Sequence, residues 1–304
     1  MTPTSKSRPS GDLLYHYTTQ EGLLGIIDKR CIWASHIRYL NDLTEGREIF
    51  KFFDAIHSVS KTLRTLRTKE SDTAFLSKSK AIFQDFKSLI SSNGIYATSF
   101  SRNGDLLSQW RAYGGQRGGY SIGFSDTWLR DIGIKFLSDN AGQFHDDNEP
   151  LIRCSYVSGK GRSLTLADTS GPTEKKTMGM QGATPFTPDI STDKGIESLI
   201  LTLLRNAASP KNSSFSEEAE WRLAFYPREN VVPDAVSFRA GTSMLTPYLE
   251  IPFGPKSRSI GIEKIIVGPC PHRDEAIQSV KMLLEKKAIR GVKLEASSVP
   301  YRYW

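Results

Sequence analysis

Glu218 and Glu220 stand two residues apart in "FSEEAEWRLAF" (215–225). If Glu220 opens a strand that continues as Trp221-Arg222-Leu223, strand alternation turns both carboxylates to one side. Such a Glu-x-Glu pair can stabilise a cationic sugar transition state, as carboxylates do in glycosidases. The same residues also fit an acidic surface turn in which Glu220 pairs with a nearby arginine. A second candidate is His16, between two tyrosines in "LLYHYTTQEGLLGIID" (13–28). A titratable ring at a strand end, just before a helix, either faces a ligand or is half-buried and hydrogen-bonded to backbone. Trp110, Arg111, Tyr113 and Tyr120 surround a glycine loop in "SQWRAYGGQRGGYSIGF". Aromatic rings stack on planar groups, and arginine binds phosphate through a bidentate fork.

Other patterns are less productive. Gly119-Tyr120-Ser121-Ile122-Gly123 fits Gly-x-Ser-x-Gly, with Asp234 and His272 following in the order Ser, Asp, His. A hydrolase elbow needs the serine on a tight turn between strand and helix. Here a glycine-rich loop precedes the motif and the motif itself reads as strand, so a serine hydrolase at Ser121 ranks third among the functions considered. "GGQRGG" (114–119) lacks the Gly-Lys-Ser/Thr ending of a phosphate loop. "HDDNE" (145–149) reads as a solvated acidic loop, and the scattered histidines form no His-Glu-x-x-His pair. No metal is expected.

The elements that must position these residues follow from periodicity. A strand at 13–17, a cap at Thr18-Thr19 and a helix at 19–29 account for the opening stretch, with Tyr15 or Tyr17 alternating into the core. "CIWASH" (31–36) reads as a strand. Asn41-Asp42 caps a helix with Ile49, Phe52, Phe53 and Ile56 on one face, and another helix covers 72–91. Strands are expected at 95–101, 119–124 and 150–157, with helix or turn at 106–115. Residues 158–193 shift to Gly, Ser, Thr, Pro and Lys and read as a flexible insertion. A helix at 194–208, strands at 220–226, 235–239, 247–251, 262–267 and 292–296, and a helix at 273–288 complete the chain. Helices concentrate in the first third and strands in the rest, which is α+β rather than a regular α/β alternation.

Composition narrows the class. The 304 residues are 38% hydrophobic, enough for a sizeable core. Forty Lys+Arg against 33 Asp+Glu give a net charge of +7, which permits a polyanionic partner such as nucleic acid. Three separated cysteines, Cys31, Cys154 and Cys270, form no framework and suit a reduced cytoplasmic setting. The polar stretch 1–11 has no apolar signal core and reads as a disordered tail before a single domain at 12–304. No apolar run approaches a membrane span, so no membrane partner is expected.

In order along the chain, "LLYHYTTQEGLLGII", "IWAS", "LNDLTEGREI", "YATSFSRNGDLLSQWRAYGG", "GYSIGF", "FSEEAEWRLAF", "IEKIIVGP" and "VPYR" resemble the bacterial family termed domain of unknown function 2971. A strand ending in His-Tyr-Thr before a helix, a middle strand with Thr/Ser-x-Ser and a late Glu-x-Glu strand are also similar to the ADP-ribosyltransferase fold. The opening block most resembles toxins that ADP-ribosylate DNA. That second resemblance implies a core of split, mostly antiparallel sheets, NAD+ as substrate, and cleavage of the nicotinamide–ribose bond with transfer of ADP-ribose to DNA, RNA, protein or water. It implies that His16 holds the ribose, with Tyr17 and Thr18 beside it. Thr98, Ser99 and Ser101 would line the nicotinamide pocket, Tyr113 or Tyr120 would stack on nicotinamide, and Arg111 would bind phosphate. Glu220 would be the catalytic carboxylate and Glu218 would orient or deprotonate the acceptor. Glu217 or Glu218 takes the catalytic place if the strand begins earlier. Enzymes of this type serve as toxins or in anti-phage defence, which implies a neutralising antitoxin as a further partner. The alternative is a non-catalytic nucleotide or nucleic-acid binding module of the same fold, with "EEAEWR" structural.

Overall fold

The computed structural model describes residues 12–39, 94–115, 118–157, 201, 204–205, 208–228, 232–241, 243–254 and 260–302. Strand β1 (Leu13–Thr19) runs into helix α1 (Gln20–Lys29), and the hinge between them is chemical. Thr19 keeps an extended backbone and its hydroxyl accepts the N–H of Gly22 at 3.2 Å, satisfying a donor that the first helical turn leaves open. Leu23, Ile26 and Ile27 form the buried face of α1. Arg30 then adopts a left-handed conformation (φ 53°), ending the helix and returning the chain as β2 (Cys31–His36).

The remaining elements are β3 (Tyr96–Ser101), α2 (Leu107–Tyr113), β4 (Gly119–Ser125), α3 (Asp126–Asp139), β5 (Leu151–Arg153), β6 (Ser155–Val157), β7 (Pro210–Asn212), a 3-10 turn at Ser213–Glu218, β8 (Glu220–Phe225), β9 (Val236–Ala240), β10 (Leu245–Pro252), β11 (Ile262–Val267), α4 (Arg273–Lys286) and β12 (Lys293–Ala296). Ten strands join one sheet in the order β12-β11-β4-β1-β3-β2-β10-β9, with β8 on β3 and β5 on β8. Its pairs are antiparallel except for β11 with β12, which α4 connects. A separate two-stranded parallel sheet pairs β6 with β7. This is the α+β architecture that the sequence indicated.

The sheet has two unlike faces. Leu14, Phe100, Ile122, Phe124, Trp221, Leu223, Phe225 and Ile265 join the main core, with Leu23 and Ile27 of α1, Leu129 and Phe136 of α3, and Val280 and Leu284 of α4. On the other face a smaller cluster, Tyr17, Trp110 and Ile266, holds α2.

Several expectations need revision. The sequence reading placed no helix between 125 and 149, yet α3 fills most of that gap with Leu129, Ile132, Phe136 and Leu137 buried. The stretch 150–157 is two short strands in different sheets, and β7 and the 3-10 turn were not foreseen. "HDDNE" is not a solvated loop: His145 and Asp147 are buried, and Arg205 pairs with the Asp147 carboxylate. The expected tail at 1–11, the two helices between 41 and 91, and the insertion at 158–193 lie outside the described residues, as does most of 194–208. Among the described residues, no helix is long and apolar enough to cross a membrane.

The Thr19 cap yields a direct test. Thr19→Ala is expected to lower unfolding stability by about 1 kcal/mol, the usual cost of a lost side-chain cap. Urea denaturation should show a lower midpoint with an unchanged slope.

Candidate split-sheet site

Strand β3 is the branch point. One edge pairs with β8 along its whole length, from Tyr96↔Phe225 to Ser101↔Glu220. The other edge is divided: β2 takes Tyr96 and Ala97, and β1 takes Ser101. Between these contacts, Thr98, Ser99 and Phe100 have no strand register on that edge. The sheet is split there, and His16 stands in the split.

The His16 ring lies 5.8 Å from the Phe100 ring, and its Nδ1 is 3.0 Å from the carbonyl oxygen of Ser99. A carbonyl can only accept, so Nδ1 carries the proton and Nε2 presents a lone pair. Burial lowers the His16 pKa, and the Ser99 carbonyl opposes that only in part, which keeps the ring neutral at pH 7. In an antiparallel strand the N–H and C=O of one residue turn to the same edge, so the Ser99 N–H faces the split beside its carbonyl. Thr98 lies on the same sheet face as His16, and its buried Oγ1 has no partner among the described residues. The split thus gathers one ring acceptor, one backbone donor and one unsatisfied hydroxyl.

Glu220 is elsewhere. Register puts Tyr15, Ser101 and Glu220 on one face of the sheet, and His16, Phe100 and Trp221 on the other. The two groups assigned by resemblance to one reaction centre therefore point to opposite faces. Glu218 and Glu220 do meet on one side, but not by strand alternation: Glu218 ends the 3-10 turn, Ala219 is left-handed (φ 44°), and both carboxylates turn to Lys211 on β7. The Lys211 Nζ donates to Glu218 Oε2 at 2.6 Å and also to Glu220 Oε2. Arg222 Nε donates to Glu220 Oε1 at 2.8 Å, and its Nη1 to the Ala208 carbonyl at 2.9 Å. Residue exposures of 9% for Glu218, 3% for Glu220, 5% for Lys211 and 2% for Arg222 make this a buried quartet with no net charge, not a surface turn. The Glu220 backbone is held too: its N–H donates to the Tyr156 hydroxyl at 2.7 Å, and its carbonyl accepts from Cys154 N–H at 2.9 Å. Burial alone would raise the Glu220 pKa, but Arg222 and Lys211 overcome it and hold the value at about 2.

The other sequence candidates divide accordingly. Ser99 and Thr98 belong to the split. Ser101 is buried and donates to the Glu218 carbonyl at 2.6 Å. Tyr17 points away from His16; its hydroxyl donates to the Asn103 carbonyl at 2.7 Å and accepts from Leu106 N–H at 2.9 Å. Thr18 is half-buried against Gly22, where a Cβ would come within 1.8 Å of its Oγ1. Arg111 and Tyr113 lie exposed on α2, and Arg111 stacks on Tyr301 at 5.1 Å. Tyr120 pairs in register with Thr18 and Val267 and is half-buried. Glu217 is exposed.

Ser121 sits inside β4 with 0% exposure, between Tyr17 and Ile266 in register. It occupies no strand-to-helix turn, and His272 and Asp234 are both exposed. The hydrolase geometry is absent at this serine.

Two residues that the sequence reading did not single out organise the region. Lys211 joins the two glutamates, and nothing in "SPKNSS" signals it. Asp105 ties the loop before α2 to the chain after β12. It accepts from Trp110 Nε1 at 2.7 Å, Ser298 N–H at 2.7 Å, Ser298 Oγ at 2.8 Å and Ser297 Oγ. Burial raises the Asp105 pKa, but these donors lower it further and leave a net depression.

The quartet predicts a pH dependence. A carboxylate with a depressed pKa stabilises the fold fully above its ordinary value and loses that contribution as pH falls through its folded value. Stability is thus expected to decline from about pH 4.5 towards about pH 2, and Glu220→Gln should remove part of that slope while lowering stability at pH 7. Lys211→Met, which leaves two buried carboxylates against one arginine, should cost about 3–5 kcal/mol in urea denaturation at pH 7.

No curated protein and no solved structure matches this chain. Residues 109–223 match the family described as Protein of unknown function (DUF2971), a span that runs from α2 through the quartet. Over that stretch, the chain is similar to the DUF2971 family.

Proposed function

We propose that this chain is a nucleotide-binding module of the ADP-ribosyltransferase type, that it takes the nicotinamide end of NAD+ in the split of its sheet, and that its Glu-x-Glu pair is structural. The observation that carries this reading is the placement of the two groups. His16 stands in the split with a free acceptor nitrogen, while Glu218 and Glu220 spend their oxygens on Lys211 and Arg222 across the sheet. A ribose hydroxyl can donate to Nε2, and a carboxamide oxygen can accept from the Ser99 N–H. Both suit the donor and acceptor set at the split. Cleavage of the nicotinamide–ribose bond asks for more: a preorganised negative charge beside the developing cation. A carboxylate already neutralised by two cations supplies little of it.

A second reading is the catalytic one. In it NAD+ is cleaved and ADP-ribose passes to DNA, RNA, protein or water, as in a toxin or defence effector with its antitoxin. What favours it is that Arg222 Nε would still donate to Glu220 Oε1 at 2.8 Å if Lys211 withdrew, leaving the second carboxylate oxygen open to a substrate cation.

One experiment separates the two. NAD+ binding is followed by calorimetry and nicotinamide release by chromatography, with and without single-stranded DNA and RNA. Wild type, His16→Ala and Glu220→Gln are compared, each checked for folding by circular dichroism. The module binds NAD+, releases no nicotinamide, and binds roughly tenfold more weakly after His16→Ala, the effect of one lost hydrogen bond. Release by wild type that collapses in folded Glu220→Gln would establish the catalytic reading instead. Absence of NAD+ binding, or equal binding by His16→Ala, would overturn the assignment of the split.

A further inference from the structure

A concave site lies on the other flank of β1, beyond β4, and plays no part in the reading above. It is a cleft of about 480 Å³ between the β11–α4 loop and the chain after β12, lined among others by Gly268, Cys270, Arg273, Ser297, Tyr301 and Arg302. That volume falls in the range of small-ligand sites.

The walls are fixed by the fold. Gly268 N–H donates to the Gly119 carbonyl at 2.9 Å, and a Cβ on Gly268 would stand 2.9 Å from that oxygen and from the Trp110 ring, so glycine alone lets the loop pass. Opposite, Ser297 N–H donates to the Val267 carbonyl at 2.7 Å, and Asp105 holds Ser297 and Ser298. Proline rings at 269, 271 and 300 stiffen both sides.

The charge in the cleft is positive. Arg273 and Arg302 both line it, and among the described residues neither guanidinium has a carboxylate partner. A third guanidinium, that of Arg111, stands 5.1 Å over the Tyr301 ring at the same wall. Guanidinium forks bind phosphate oxygens in pairs, and a tyrosine with proline neighbours offers an apolar, planar surface to a ring. We infer that this cleft binds a nucleoside monophosphate, with Arg273 and Arg302 on the phosphate and Tyr301 beside the base.

The test uses adenosine 5′-monophosphate as probe, with adenosine and inorganic phosphate as controls, titrated calorimetrically into the full chain. Arg273 and Arg302 are exposed, so Arg273→Ala and Arg302→Ala should retain the wild-type thermal midpoint. Adenosine 5′-monophosphate should bind wild type, and each substitution should weaken it by roughly tenfold. His16→Ala should leave it unchanged, which separates this cleft from the split whatever becomes of the NAD+ reading. Adenosine and phosphate alone should each bind more weakly than the nucleotide. Failure of the nucleotide to bind, indifference to both arginine substitutions, loss through His16→Ala, or equal binding of inorganic phosphate would overturn the inference.

Discussion

Strand β3 has two edges and three partners, and most of the architecture follows from how it shares them. Its six residues pair with β8 on one side without interruption. On the other side β1 and β2 take opposite ends. Each of these strands leads away into its own arm, β1 towards β4, β11 and β12, and β2 towards β10 and β9. Thr98 to Phe100 therefore meet no strand on that edge. Backbone polar groups left open in a sheet need partners, and the Ser99 carbonyl finds one in a side chain, the His16 ring. His16 thus closes part of a gap that the topology creates, and it leaves one ring nitrogen over.

The same register separates the imidazole from the carboxylates. A strand position one residue away faces the opposite side of the sheet, and Tyr15, not His16, shares its side with Ser101 and Glu220. Around Glu220 the protein has assembled two anions and two cations from three elements: β7, the 3-10 turn and β8. Desolvating four charges is expensive, and only mutual pairing with further hydrogen bonds offsets it. Arg222 reaches the Ala208 carbonyl, and Tyr156 takes the Glu220 N–H. Such an arrangement fixes how the small β6–β7 sheet sits on β8, which gives the Glu-x-Glu spacing a structural reason independent of any reaction.

The local elements were legible in the sequence because their signals are local. β1 and α1 follow from an apolar run, Thr19 and a helical stripe. β8 follows from the alternation of Trp221, Leu223 and Phe225. The start of β8 at Glu220 is legible in the same run, but strand alternation does not reach Glu218, which lies in the 3-10 turn. What the two glutamates turn towards was not legible, because Lys211 lies on a three-residue strand with no pattern of its own. The division of β3 was equally hidden, since pairing register is set by residues remote in sequence. α3 is a different case. Residues 129, 132, 133, 136 and 137 keep helical spacing, but Gly133 at the middle of that stripe lowers helix propensity. Its reason is tertiary: a Cβ there would lie 2.8 Å from Leu223 Cδ1 and Pro150 Cγ. A close approach between helix and sheet thus removed part of the signal that announces the helix.

The split and the C-terminal cleft are also joined through covalent and hydrogen-bonded neighbours. Tyr17 follows His16 on β1, and its hydroxyl holds the loop at Asn103 and Leu106. Within that loop Asp105 holds Trp110, Ser297 and Ser298, and the last two lead directly into the wall that carries Tyr301 and Arg302. Continuity of this kind is not in itself a coupling between sites, which requires an element with two arrangements. It does something simpler. Each surface is braced by the same set of polar contacts, most of them part-buried, so the groups at both are held in position by the fold itself.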